Sequence, residues 1–196
     1  MAVVLKDRQR HSYGDYLQWP EDVRYELIDG NAYLMSPAPD LAHQDVAGEI
    51  YFQARQALQG KPCRVFIAPL DVRLPKRDEA DALIDSVVQP DVLVVCDAGK
   101  LDKRGVRGAP DWIVEVLSPS TASHDQINKR DLYQRHGVRE YWLVHPIDRI
   151  LTVYLLQNGE YGKPDLYPLE GVTPVGILPE IAIRWDELAA RLPKDY

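Results

Sequence analysis

Cysteine is scarce in this sequence, with two residues in 196, too few for a disulfide-rich scaffold. Both, Cys63 and Cys96, fall in strand-like apolar surroundings. They are expected to be free buried thiols in a reducing compartment, which makes the cytoplasm the default location. Long apolar runs are also missing. No stretch approaches the roughly 20 residues that span a bilayer. The N-terminus, Met1-Ala2-Val3-Val4-Leu5-Lys6-Asp7, lacks the basic start and long apolar stretch of a secretory signal, so no membrane association is expected. Positive charge is in deficit, 23 Lys and Arg against 30 Asp and Glu, for a formal net charge of −7. That argues against a dedicated non-specific DNA binder, because phosphate neutralisation needs a basic surface. It leaves room for local basic groups such as Lys76-Arg77 and Lys100, Lys103, Arg104 and Arg107. With neither internal repeats nor low-complexity linkers, a chain 45% hydrophobic and 27% charged reads as a single domain, 1–196, long enough for a well-buried core.

Patterning along the chain then predicts the elements. Ser12 is placed to cap a short helix ending near Trp19, before Pro20. Tyr25-Glu26-Leu27-Ile28 and Ala32-Tyr33-Leu34-Met35 flank Asp29-Gly30-Asn31 as a β-hairpin. Asp40 to Gln59 is the longest helical stretch, ended by Gly60, with His43, Ala47, Ile50, Ala54 and Ala57 or Leu58 on its inner stripe. Arg64 to Ala68 and Leu70 to Leu74 read as a strand or a bent pair around Pro69. Further strands follow at Val92 to Val95, Trp112 to Leu117, Glu140 to Val144 and Ile150 to Leu156. Helices are expected over Asp125 to Arg135, stopped by His136-Gly137, and over Asp186 to Arg191. The fold class is α/β or α+β, built around one mixed sheet.

Two carboxylates stand out. Asp91 follows Pro90, which has no N–H for a ladder and so marks a strand's first residue. Glu115 lies within Trp112-Ile113-Val114-Glu115-Val116-Leu117, a run without polar alternation that reads as a central strand buried on both faces. An unpaired ionised Glu there would cost several kcal/mol, so it needs either a cationic partner or a metal. If the two strands are neighbours, both carboxylates can hold one divalent cation. Lys129 sits on the following helix, where Asp125, Lys129 and Tyr133 share a face at i, i+4 and i+8. There it can serve a site at the strand's carboxyl end or simply pair with Asp125. His43 reads as a core histidine or a site residue, and Glu26 as a solvated strand residue or a further acid. Ser118-Pro119-Ser120-Thr121 can offer hydroxyls and amides to a phosphate or cap a helix.

These residues resemble a known family. Pro90-Asp91 with Glu115-Val116-Leu117 is similar to the bipartite signature of the PD-(D/E)XK nucleases. The longer strings Tyr25-Glu26-Leu27-Ile28-Asp29-Gly30, Gly108-Ala109-Pro110-Asp111, Val114 to Thr121, and Gly137-Val138-Arg139-Glu140-Tyr141-Trp142, with Lys129 and Tyr133, resemble the Uma-type restriction endonuclease family over about Tyr16 to Leu156. The resemblance implies a restriction-endonuclease-like core, a mixed central sheet flanked by helices, with an N-terminal helix and hairpin. It also implies Mg²⁺ or Mn²⁺ held by Asp91, Glu115 and the Val116 carbonyl, and a metal-activated water that hydrolyses DNA phosphodiesters. Lys129 would replace the lysine that the superfamily carries two residues after the Glu, where this chain has Leu117. Glu26 and His43 would assist from the flank, and Ser118, Ser120 and Tyr133 would contact substrate. A homodimer suits double-strand cleavage. The alternative is a non-catalytic nucleic-acid- or partner-binding protein that retains the nuclease fold.

Overall fold

The structure, a computed structural model, describes residues 3–4, 9–20, 24–35, 40–119 and 121–192. Strand β1 (Val3–Val4) precedes helix α1 (Tyr13–Tyr16), β2 (Tyr25–Ile28) and β3 (Asn31–Leu34). Ser12 and Asp15 form a capping box at the start of α1. The β2–β3 turn is Asp29-Gly30, with φ of 48° and 75°, the paired left-handed conformation a two-residue hairpin turn requires. Helix α2 (Leu41–Ala57) starts at Asp40, whose carboxylate accepts the His43 N–H at 2.8 Å. Next come β4 (Arg64–Ile67), β5 (Val72–Arg73), β6 (Val87–Val88), β7 (Val92–Val95), β8 (Leu101–Asp102), β9 (Gly105–Arg107) and β10 (Trp112–Val116). A π-helical segment, His124–Lys129, runs directly into α3 (Arg130–His136). The chain ends with β11 (Glu140–His145), β12 (Ile150–Gln157), β13 (Glu160–Tyr161), β14 (Asp165–Pro168), β15 (Val172–Val175), β16 (Leu178–Arg184) and α4 (Asp186–Arg191).

The fold is α+β, as expected, but its strands divide over two mixed sheets rather than one. The first runs β1-β3-β2-β6-β5-β9-β8; the second runs β13-β12-β11-β10-β7-β4, with β14 also on β12. β15 and β16 form a separate hairpin. The chain changes sheet between β4 and β5, around Pro69, which cannot donate to a ladder. The strands β13 to β16 escaped the sequence reading, although Leu178, Ile181 and Ile183 are buried between exposed neighbours on β16.

β10 is the hub. It pairs in parallel with β11 and antiparallel with β7, and every one of its residues is buried. One face carries Trp112, Val114 and Val116 into a core with Ile50 of α2 and Leu188 of α4. The other face carries Ile113 into a core with Leu132 and Tyr133 of α3 and Val72 of the first sheet. Each large apolar side chain buried here contributes roughly 1.5–3 kcal/mol, so β10 is anchored from both sides.

The register also overturns the expectation of free thiols. β4 pairs with β7 so that Arg64 faces Val95. Cys63 and Cys96 are therefore the next opposed pair, and a disulfide joins them. The redox argument for a cytoplasmic setting falls with that expectation. Among the described residues no helix is long and apolar enough to cross a membrane.

Candidate active site

Antiparallel pairing sets Val92 opposite Val114, so the residue that opens β7 lies beside the carboxyl end of β10. There Asp91 Oδ2 accepts the Val116 N–H at 2.7 Å and lies 3.1 Å from Nε2 of His43 on the first turn of α2. Strand alternation puts Glu115 on the α3 side of the sheet, between Ile113 and Leu117. Its Oε1 accepts from Lys129 Nζ at 3.1 Å and from the Tyr133 hydroxyl at 2.7 Å.

Lys129 sits at the centre of this cluster. Its Nζ also lies 3.0 Å from Glu26 Oε1 and 3.3 Å from Asp125 Oδ1. The π-helical turn that carries it buries His124, Asp125 and Lys129 together; such wide turns concentrate at functional sites. Glu26, from β2, is held further by the Gln89 N–H at 2.8 Å and by His124 Nε2 at 3.3 Å. The His124 ring rests against Tyr33, 4.5 Å between centroids, and its Nδ1 is 3.2 Å from Asn128 Nδ2.

Electrostatics divides these groups. Burial pushes the Glu26 carboxyl up, but Lys129 and His124 prevail and bring its pKa down to about 2. Glu115 goes the other way: burial dominates, and despite Lys129 the negative neighbours Asp125, Asp91 and Glu26 push it well above the usual carboxylate range. Asp125 is raised for the same reasons. For Lys129, burial disfavours the ammonium, yet Glu115, Glu26 and Asp125 raise its pKa well above the ordinary value. It therefore remains a fixed cation and is no proton acceptor. His43 is raised as well, its burial outweighed by the Asp91 carboxylate.

A cavity of about 580 Å³ opens over the cluster, lined by Glu26, His43, Asp91, Glu115, Val116 and Lys129 among others. A divalent cation suits these donors. Both contacts of Asp91 fall on Oδ2 and both of Glu115 on Oε1, which leaves one oxygen of each without a partner among the described residues. Five carboxylates line the cavity, those of Glu26, Asp40, Asp91, Glu115 and Asp125, and a cation would relieve the burial and mutual charge that raise Glu115 and Asp125. Among the described residues no three or more His, Cys, Asp or Glu side chains converge as a cage. The side chains thus match a cation that takes one or two carboxylates and completes its shell with carbonyl and water oxygens, as Mg²⁺ does.

The structure brings Asp91, Glu115, Val116, Lys129, Glu26 and His43 to this one cavity. Ser118 also lines it, its hydroxyl 3.1 Å from Thr121 Oγ1, whereas Ser120 lies outside the described residues. Tyr133 departs from its expected substrate contact. It is wholly buried, with its hydroxyl committed to Glu115 from behind. Leu117 is buried in the same apolar cluster as Leu132 and Tyr133, so the position that would carry the superfamily lysine is a packing position here. Sequence reasoning missed His124, Asp125 as a fourth acid, Gln89 and Arg24. Gln89 is 63 residues from the Glu26 that it contacts, and no local pattern signals such a pairing.

This arrangement has relatives. A protein from Anabaena variabilis, titled "a putative nuclease belonging to DUF820", has a crystal structure that superposes with a TM-score of 0.72. It is 20% identical, and the match covers 93% of this chain and 99% of that one, which establishes a shared fold. An uncharacterized protein of Synechocystis sp. is 27% identical over 143 residues, 71% of each chain. The sequence profile of the Uma2 family, described as "Putative restriction endonuclease", matches residues 13–186. That span runs from α1 to α4 and includes every element that supplies the cavity, and by it the chain belongs to the Uma2 family.

Proposed function

We propose that this chain is a divalent-cation-dependent endonuclease that hydrolyses phosphodiester bonds of DNA. The observation that carries the reading is that Asp91 and Glu115, from adjacent strands, open on one cavity, each anchored through one oxygen and with the other unpartnered among the described residues. Membership of the Uma2 restriction endonuclease family and the fold shared with the Anabaena nuclease support it.

Mg²⁺ or Mn²⁺ bound by Asp91 and Glu115, with the Val116 carbonyl, would supply Lewis acidity toward the scissile phosphate and lower the pKa of a water. The protein's own residues do the positioning. His43 and the Val116 N–H fix Asp91, while Lys129 and Tyr133 fix Glu115. Lys129 brings a permanent positive charge toward the phosphate oxygens as negative charge builds on them. Glu26 stays ionised and, with Asp125, holds that ammonium in place. Water's oxygen bonds to phosphorus, the bond from phosphorus to the leaving sugar oxygen breaks, and water's proton balances the charge on that oxygen. Scission of both strands would call for two such sites, which a two-fold homodimer supplies.

Plasmid cleavage by the purified protein with Mg²⁺ or Mn²⁺ tests the reading. Activity is expected to vanish in Asp91→Ala, Glu115→Ala and Lys129→Ala. Unchanged activity in Glu115→Ala would sink the assignment. Calorimetric titration with Mn²⁺ separates the two remaining readings: heat of binding without cleavage would leave a non-catalytic binder that keeps the fold.

A further inference from the structure

Arg24 stands at the start of β2, two residues before Glu26, exposed and on the wall of the cavity. Five other arginines are held by acids. Arg73, Arg107, Arg135, Arg139 and Arg191 each meet a carboxylate. Arg24, among the described residues, meets only the neutral amide oxygen of Gln89, which accepts from both Nε and Nη2. Its full positive charge and its remaining N–H groups are therefore uncommitted among the described residues.

Gln89 is built to hold it. It is 8% exposed, and its Nε2 donates to Asp71 Oδ1 at 2.8 Å and to the Tyr16 hydroxyl at 3.2 Å. Asp71 accepts only, so the amide nitrogen must face it and the amide oxygen must face Arg24. The Gln89 main-chain N–H meanwhile binds Glu26. One buried residue thus ties an exposed guanidinium to the acid cluster at a set spacing.

Charge explains why such a group is needed. Five carboxylates line the cavity, those of Glu26, Asp40, Asp91, Glu115 and Asp125, and Lys129 is engaged by three of them. A polyanion entering here meets like charge unless a cation stands at the rim.

We infer that Arg24, oriented by Gln89, binds a nucleic-acid backbone phosphate next to the scissile one. This rests on the nuclease reading of the cavity. A guanidinium held by one edge presents its remaining fork to a phosphate, which Lys cannot imitate.

The test is binding of a fluorescein-labelled duplex oligonucleotide, followed by anisotropy across a salt series in EDTA, so that no turnover intervenes. Arg24→Gln is expected to weaken binding roughly tenfold and to flatten the plot of log affinity against log salt by about 0.9, the value of one duplex phosphate contact. Arg24→Lys should keep most of the slope and lose part of the affinity. Lys163→Gln makes the same charge change outside the cavity lining and should leave the slope as it is. Binding by the wild type with an unaltered slope in Arg24→Gln overturns this inference and leaves the nuclease reading standing. Equal flattening by Lys163→Gln overturns it too, because net charge would then be the cause. A wild type that does not bind the duplex at all overturns the nuclease reading and this inference with it. Melting curves check folding of Arg24→Gln, and Arg24→Met, which removes the same charge and should flatten the slope equally, carries the comparison if that variant does not fold.

Discussion

Lys129 Nζ lies 3.1 Å from Glu115 Oε1, a contact between residues 14 apart in the chain. It places an ammonium against the strand carboxylate although the residue two positions after Glu115 is a buried leucine. The wide turn of the π-helical segment delivers it, and Glu26 and Asp125 keep it charged.

Lys129 contacts three buried carboxylates, and removing the cation from such a buried cluster leaves uncompensated charge. Lys129→Met is expected to destabilise the protein by about 3–5 kcal/mol, read from urea unfolding, with a smaller loss in Lys129→Arg. A loss below about 1 kcal/mol would mean that the carboxylates take up protons and do not depend on the ammonium.

Asp91 has a structural duty besides its proposed one, because its Oδ2 accepts the Val116 N–H at the end of β10. Asp91→Ala leaves that donor without a partner and should cost about 1–2 kcal/mol. Asp91→Asn retains an acceptor and should unfold near the wild-type urea midpoint while losing Mn²⁺ binding by calorimetry. Wild-type Mn²⁺ binding in Asp91→Asn would remove Asp91 from the proposed ligands.

Asp29, at the β2–β3 turn, receives Arg135 Nη2 at 2.8 Å and Lys76 Nζ at 3.0 Å. Burial favours its protonation, but these two partners prevail and hold its pKa below the usual carboxylate value. The folded state therefore keeps Asp29 ionised at a pH where the unfolded chain already binds a proton. This stabilisation is complete above about pH 5 and fades as pH falls through the unfolded value of about 3.9 and then the lower folded one. Asn accepts the left-handed turn conformation, so Asp29→Asn removes the charge and spares the turn. Wild type should melt above Asp29→Asn at neutral pH, with the two curves converging in acid. Parallel curves at every pH would refute the ion-pair account.

The Cys63–Cys96 disulfide closes a loop of sequence separation 33. Chain-entropy arguments assign such a loop about 3–4 kcal/mol, so Cys63→Ser with Cys96→Ser should unfold at correspondingly lower urea. Thiol titration of the denatured wild type should find no reactive cysteine before reduction. Two free thiols at that stage would contradict the pairing.

Much of the site was legible because its strongest signals are local. Glu115 inside an apolar run, Asp91 after Pro90 and the Ser12 cap all depend on near neighbours in the chain. The i, i+4, i+8 spacing of Asp125, Lys129 and Tyr133 did bring three side chains to one buried face. It did not reveal that Tyr133 would face the back of Glu115 instead of the cavity. Nor did it show that the first part of this helix would be widened into a π-helical turn.

The sequence by itself determined the α+β class, the buried central strand with one unexplained carboxylate, and the family, since all three follow from periodicity and contiguous strings. Tertiary structure decided the rest. The division into two sheets, the opposition of Cys63 and Cys96, the joining of Gln89 to Glu26 and Arg24, and the contact of Lys129 with Glu115 depend on strand register and helix placement. Those are set by packing both faces of β10 at once, a global condition that no short window of sequence encodes.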